Sequence, residues 1–170
     1  KWEHYRVQMS HRLEIGDNFQ ITTNLYRNDF SRAWKKLSGF SGDRSIEQVL
    51  ANPTSGNNAI YYALLEGNGT TTNPDERLIL GTNDRSFISQ GVQSQLKIQG
   101  KWLESDHNLE IGVRLHQDHA KRFHFQESYA MAMGKLNALE MPRSITKDAL
   151  GKSTALATYI EDTIDHGPLR

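Results

Sequence analysis

The sequence predicts an all-β chain of long antiparallel strands, a segment of a transmembrane β-barrel. Three observations carry this: polar and apolar residues alternate over long stretches, the connections run short, long, short, long, and the composition is lean for a closed core. Of 170 residues 36% are hydrophobic, mean hydropathy is −0.66, and the longest apolar run, Ala59 to Leu65, is seven residues. A helical membrane span needs about 20 apolar residues in a row and is excluded. Without cysteine there is no disulfide framework or thiolate metal site. Twenty basic side chains against twenty acidic ones leave no basic footprint for nucleic acid.

From Tyr5 to Ile15, Tyr5, Val7, Met9, His11, Leu13 and Ile15 occupy one parity, five of the six apolar or aromatic, and Arg6, Gln8, Ser10, Arg12 and Glu14 the other. Successive side chains of a strand point to opposite sides, so this is a strand with two chemically different faces. Gly16-Asp17-Asn18 predicts a turn. Phe19, Ile21, Thr23 and Leu25 then continue opposite Gln20, Thr22 and Asn24, which completes a hairpin. The unit recurs: Val92, Leu96, Ile98 and Trp102 oppose Gln93, Gln95, Lys97, Gln99 and Lys101, Glu104-Ser105-Asp106 turns the chain, and Leu109, Ile111, Val113 and Leu115 return. A fifth stretch, about 154–164, fits strand, although its apolar spacing also fits a helix. Ser45 to Leu50 predicts a short helix capped by Asp43 or Ser45, with Pro53 beyond its end.

Alternation does not say which face points inward, and a soluble sandwich alternates as a barrel does. Rhythm and length favour the barrel. Short turns at 16–18 and near 103–107 alternate with long connections over about 37–86 and 122–151. Outer-membrane barrels have short periplasmic turns and longer extracellular loops, whereas a structureless connection of that size is uncommon in a compact soluble domain. The alternation also exceeds the usual 5 or 6 residues of a globular strand and reaches the roughly 9–11 that cross a bilayer. On this reading Val7, Leu13, Leu96, Ile98, Ile111 and Val113 face lipid, while Arg12, Glu14, Glu110, Arg114, His116 and Asp118 face a polar lumen. A charge placed at Val113 then meets lipid at a cost, and one at neighbouring Gly112, facing the lumen, does not incur that lipid penalty. The alternative is a soluble β-rich ligand- or carbohydrate-binding module whose apolar faces meet across a core. About five strands are too few to close around a lumen, and the chain opens at Lys1-Trp2-Glu3 and ends after another alternating stretch. It therefore reads as one partial barrel domain over 1–170, with further strands outside it.

Several stretches carry a family resemblance. Tyr26-Arg27-Asn28-Asp29-Phe30-Ser31-Arg32-Ala33-Trp34-Lys35-Lys36-Leu37 is similar to the strand leading into a large extracellular loop of TonB-dependent outer-membrane receptors, particularly the ferric dicitrate receptor branch. Gly91-Val92-Gln93 resembles the start of a following strand. The stretch from His107 to Asp118, with Arg122 after it, resembles that branch's H-x-L-E-x-G-x-R-Y-H-x-D pattern, with Leu115 in place of the aromatic. The resemblance covers most of residues 4–122 and, more loosely, 152–166. It implies a 22-stranded barrel in the outer membrane of a Gram-negative bacterium, surrounding a plug that these residues do not contain. It further implies import of a ferric chelate, ferric citrate or a siderophore, with energy from the TonB complex delivered through that plug. The ligand would be cargo, with no bound cofactor and no enzyme activity.

Candidate chemistry is sparse. The His116-Gln117-Asp118-His119 run resembles a metal motif only if helical; on a strand the two His face opposite ways. Gly67-Asn68-Gly69 fits no phosphate fingerprint, and no nucleophile–base or paired-carboxylate spacing stands out. Arg44, Arg77 and Arg85 are the long loop's cations, and a guanidinium fork suits the carboxylates of a citrate-type chelate.

Overall fold

The computed structural model describes residues 1–167. The alternating stretches become β1 (Trp2–Ile15), β2 (Phe19–Phe40), β3 (Leu78–Trp102), β4 (Ser105–Ala132), β5 (Lys135–Ala138) and β6 (Ser144–Asp165). They form one antiparallel six-stranded sheet in the order β1-β2-β3-β4-β5, with β6 also paired to β4. The connection between β2 and β3 holds two helices, α1 (Ile46–Ala51) and α2 (Asn58–Leu65), and a 3-10 turn at Pro74–Glu76.

The all-β antiparallel class and the strand at 154–164 agree with the sequence reading, as does the helix start at Ser45. There the Ser45 hydroxyl accepts from the Gln48 N–H at 3.0 Å while Gln48 Oε1 accepts from the Ser45 N–H at 3.3 Å, a reciprocal cap. The connections differ. What reads as a loop over about 122–151 is mostly strand, since β4 runs to Ala132, turns at Met133-Gly134 and returns through β5 and β6. Phe123, Phe125, Tyr129 and Met131 keep the apolar parity there, which the intervening His and Gln residues mask. The loop expected over about 37–86 is likewise shortened, with β2 reaching Phe40 and β3 starting at Leu78. The β3–β4 turn is two residues, Leu103 and Glu104, both with positive φ (51° and 64°), and Ser105 already lies in β4.

The chain divides into two compact units to which β2, β3 and β4 all contribute. One takes Lys1, residues 32–85 and 122–149; the other takes 2–31, 86–121 and the chain from Leu150 onward. The first unit has a core. Phe40, Val49 and Leu78 are buried together and gather Leu37, Ile46, Tyr61, Leu65, Leu80 and Met131. Leu64 is fully buried as well. The helices thus cover the Leu37–Leu80–Met131 side of the strands. The connection is pinned by the buried Glu76 carboxylate, which accepts from the Thr72 and Asn73 N–H groups at 2.7 and 3.1 Å.

The second unit has no buried hydrophobic side chain among the described residues. Val7, Ile111, Val113, Leu156 and Ile160 are 70%, 40%, 45%, 71% and 72% exposed, Leu13 is exposed, and Leu96 and Ile98 are half-buried. This apolar face is bounded at both ends by polar contacts. At one end Arg27 pairs bidentately with Asp29 (2.8 and 2.9 Å) and donates to Gln90 (3.0 Å), whose amide donates to Gln117 (3.2 Å). At the other, His107 Nδ1 meets Asp162 Oδ2 at 2.7 Å, and the His107 ring lies 5.0 Å from Trp102. Along β4, His107 and Gln117 are ten residue steps apart, with Leu109, Ile111, Val113 and Leu115 between them on that face.

On the opposite, polar face two glycines make room for tyrosines. A Cβ on Gly91 would lie 2.6 Å from both Tyr26 Oη and the Leu115 carbonyl, so only glycine lets Tyr26 cross β3 to reach β4. Gly112 lies beneath the Tyr159 ring, whose hydroxyl donates to Glu110. A side chain at Gly112 would collide with that ring, so a charge there meets a steric cost, separate from any lipid penalty, which face parity does not convey.

Candidate functional site

The residues best arranged to hold a ligand are cations of the first unit supplied by four strands. Arg32 and Trp34 come from β2, Asn83 and Arg85 from β3, Arg122 and His124 from β4, and Lys147 from β6. Alternation places Arg32 and Trp34 on one side of β2, and the Arg32 guanidinium lies 4.7 Å over the Trp34 ring, a cation–π contact that holds the charge without neutralising it. Arg32, Trp34, Asn83 and Arg85 line a small pocket of about 80 Å³. Arg85 Nε donates to His124 Nε2 at 3.3 Å, so the imidazole is neutral with its proton on Nδ1. Burial, and then the charges of Arg85, Arg122 and Lys147, hold the His124 pKa below its ordinary value.

None of Arg32, Arg85, Arg122 and Lys147 has a carboxylate partner among the described residues. Uncompensated like charges on one face repel, and an anion relieves that repulsion. The cationic face around the pocket therefore suits an anionic group, with Trp34, 62% exposed, as an aromatic surface beside it; the pocket itself has room for only a few atoms of a ligand.

Of the three cations expected from sequence, only Arg85 joins this cluster. Arg44 stands 5.9 Å over the Tyr61 ring and Arg77 approaches the Met141 sulfur at 3.6 Å. The structure does not bring the three together. Arg32, Arg122 and Lys147 escaped the sequence reading because they belong to separate strands. The available signal was parity: Arg32 and Trp34 share the parity of Tyr26, and Arg122 and His124 that of Arg114.

The expected polar-face residues of the second unit form local networks. Arg12 pairs with Glu14, and both line a polar pocket with Gln20, Lys97 and Gln99. Lys97 meets Glu110 at 3.2 Å. Arg114 donates to Tyr26 Oη at 3.1 and 2.9 Å, Tyr26 reaches His116 Nδ1 at 2.6 Å, and His116 Nε2 reaches Asp118 at 2.8 Å. This chain uses Arg114, His116 and Asp118 to fasten β2 to β4 across Gly91. No group of three or more potential metal ligands converges among the described residues. No protein-family model matches the chain and no curated protein matches its sequence, so the site is read from its own geometry and chemistry.

Proposed function

We propose that the chain is part of a TonB-dependent outer-membrane receptor that binds an anionic ferric chelate, ferric citrate or a siderophore, and imports it with energy from the TonB complex. The observation that carries the reading is the uncovered apolar band of the second unit. The ten residue steps of β4 from His107 to Gln117 span about 33 Å at ~3.3 Å per residue. Inclined at about 45°, they rise about 23 Å, close to the ~25 Å apolar band of an outer-membrane barrel. A soluble module would bury such a face against a second layer.

On this reading Val7, Leu13, Leu96, Ile98, Ile111 and Val113 meet outer-membrane lipid, and the polar face looks into a lumen. β1 and β6 pair on one side only among the described residues. An open edge in hydrocarbon leaves backbone groups unsatisfied, so strands outside this chain complete the barrel, and TonB acts through a plug that is also outside it. The long connection and the β4–β5 hairpin belong to the first unit, and the two short turns to the second. By the rhythm of such barrels the first unit is extracellular, and its cationic face is where the chelate's carboxylates bind. Arg85 is the ligand contact best supported; Arg44 and Arg77 are engaged elsewhere.

Whole-cell uptake of radioiron as ferric citrate and as siderophore complexes tests this. Uptake should require both the receptor and TonB, and Arg85→Ala with Arg122→Ala should weaken binding about tenfold per lost charged contact. Uptake unaffected by loss of TonB removes the energy coupling; binding of neutral saccharides in preference to anions returns the chain to a carbohydrate-binding class.

A further inference from the structure

Immediately beside the Arg27–Gln90–Gln117 border, the apolar face of the second unit carries a groove of about 560 Å³ walled by Val7, Met9, Leu25, Val92 and Leu115. That is within the roughly 300–1,000 Å³ of small-molecule sites. Its walls are mostly apolar, and its polar residues are Tyr26, Arg27, Gln90 and Gln117. The polar end is electrically spent, because Asp29 takes both the Nε and Nη2 of Arg27. It remains rich in donors: Gln117 accepts through its oxygen, so its amide N–H groups are donors there. A neutral, donor-rich end joined to a greasy trough matches an acyl chain carrying an ester or amide carbonyl, and matches a free phosphate poorly.

We infer that this groove is a specific lipid site, holding one acyl chain of a membrane lipid along Met9, Leu25, Val92 and Leu115 while the carbonyl at its head accepts from Gln117 and Arg27. The site rests on the membrane reading given above, and is continuous with the apolar band that reading assigns to lipid. It differs from that band in having a concave wall and fixed donors, which select one lipid molecule where the rest of the face meets exchanging ones.

The test is native mass spectrometry of the full receptor, delipidated in mild detergent and titrated with lipid A, whose acyl chains are ester- and amide-linked and which forms the outer leaflet on the side where the groove lies. One lipid should be retained per receptor under activation that strips the rest. Val92→Phe, or Leu25→Phe from the neighbouring strand, fills the groove and should lower retention about tenfold. Gln117→Leu, which keeps the volume and removes the donors, should lower it as well. Ile160→Phe, on the same face outside the groove, should leave it unchanged. Heat-modifiable gel mobility identifies the folded variants. Equal retention by the groove-filling and Ile160 variants overturns the site while leaving the receptor reading intact. A receptor that is monodisperse without detergent overturns the receptor reading itself.

Discussion

The two units use the same strands and reach opposite solutions for their apolar side chains. In the first, the connection between β2 and β3 folds back, and Val49 and Leu64 are fully buried with Phe40 and Leu78 close to it. In the second, Val7, Leu156 and Ile160 stay more than two-thirds exposed, and no hydrophobic residue among those described is buried. In water the second arrangement would cost ~25 cal/mol per Å² of exposed apolar surface. The difference teaches that period-two alternation specifies two faces but not the medium that each one meets; what is folded against the apolar face decides that.

The largest effects should come from breaking the first unit's core. Leu64→Ala should cost about 2–5 kcal/mol, the range for cavities in packed interiors, while Leu156→Ala, 71% exposed, should cost about 1 kcal/mol or less; chemical unfolding measures both. Next, Val113→Arg should destabilise by roughly 2–4 kcal/mol if that face meets lipid, whereas Gln99→Arg on the polar face should not carry this penalty. Equal costs in a refolding titration would erase the contrast between faces. Glu76→Ala, which strands the Thr72 and Asn73 N–H groups, should cost about 1–3 kcal/mol and loosen the connection. Amide exchange at those two positions reads it out.

Smaller effects sharpen the picture. Leu103 and Glu104 hold positive φ in a tight hairpin turn, a geometry that Asn-Gly adopts with less strain. Replacing the pair by Asn-Gly should therefore stabilise the second unit by about 1–2 kcal/mol, measured by the unfolding midpoint. The smallest effect concerns His124, whose folded pKa is depressed from its ordinary 6.5. The unfolded chain takes that proton more readily, so this contribution to stability is complete above about pH 6.5 and is lost as pH falls toward the depressed value. His124→Asn should flatten that component of the pH profile in amide exchange of the first unit.

Much of this fold was legible in the sequence, because a strand with unlike faces writes its period directly: β1 and the parts of β2 to β4 next to the short turns follow from alternation, whereas of β6 only 154–164 stood out, with a spacing that fitted a helix as well. Helix α1 announces itself through Ser45 and Gln48. Helix α2 does not, since its N-cap Asn57 makes no side-chain cap and its apolar run gives no clear period. The extension of β4 past Arg122 was hidden because the polar residues between Phe123, Phe125, Tyr129 and Met131 read as loop. The roles of Gly91 and Gly112 depend on tyrosines from other strands, and the cationic face depends on four strands meeting, so neither has a signature in linear spacing.

The account turns on whether the apolar face of the second unit meets hydrocarbon. A nitroxide scan along β4 from His107 to Gln117 in the protein reconstituted with lipid vesicles, comparing collisions with dissolved oxygen and with a nickel chelate, measures this directly. The account predicts high oxygen and low nickel accessibility at Leu109, Ile111, Val113 and Leu115, with the preference fading at His107 and Gln117. Nickel reaching Ile111 and Val113 as freely as it reaches the two borders would contradict it.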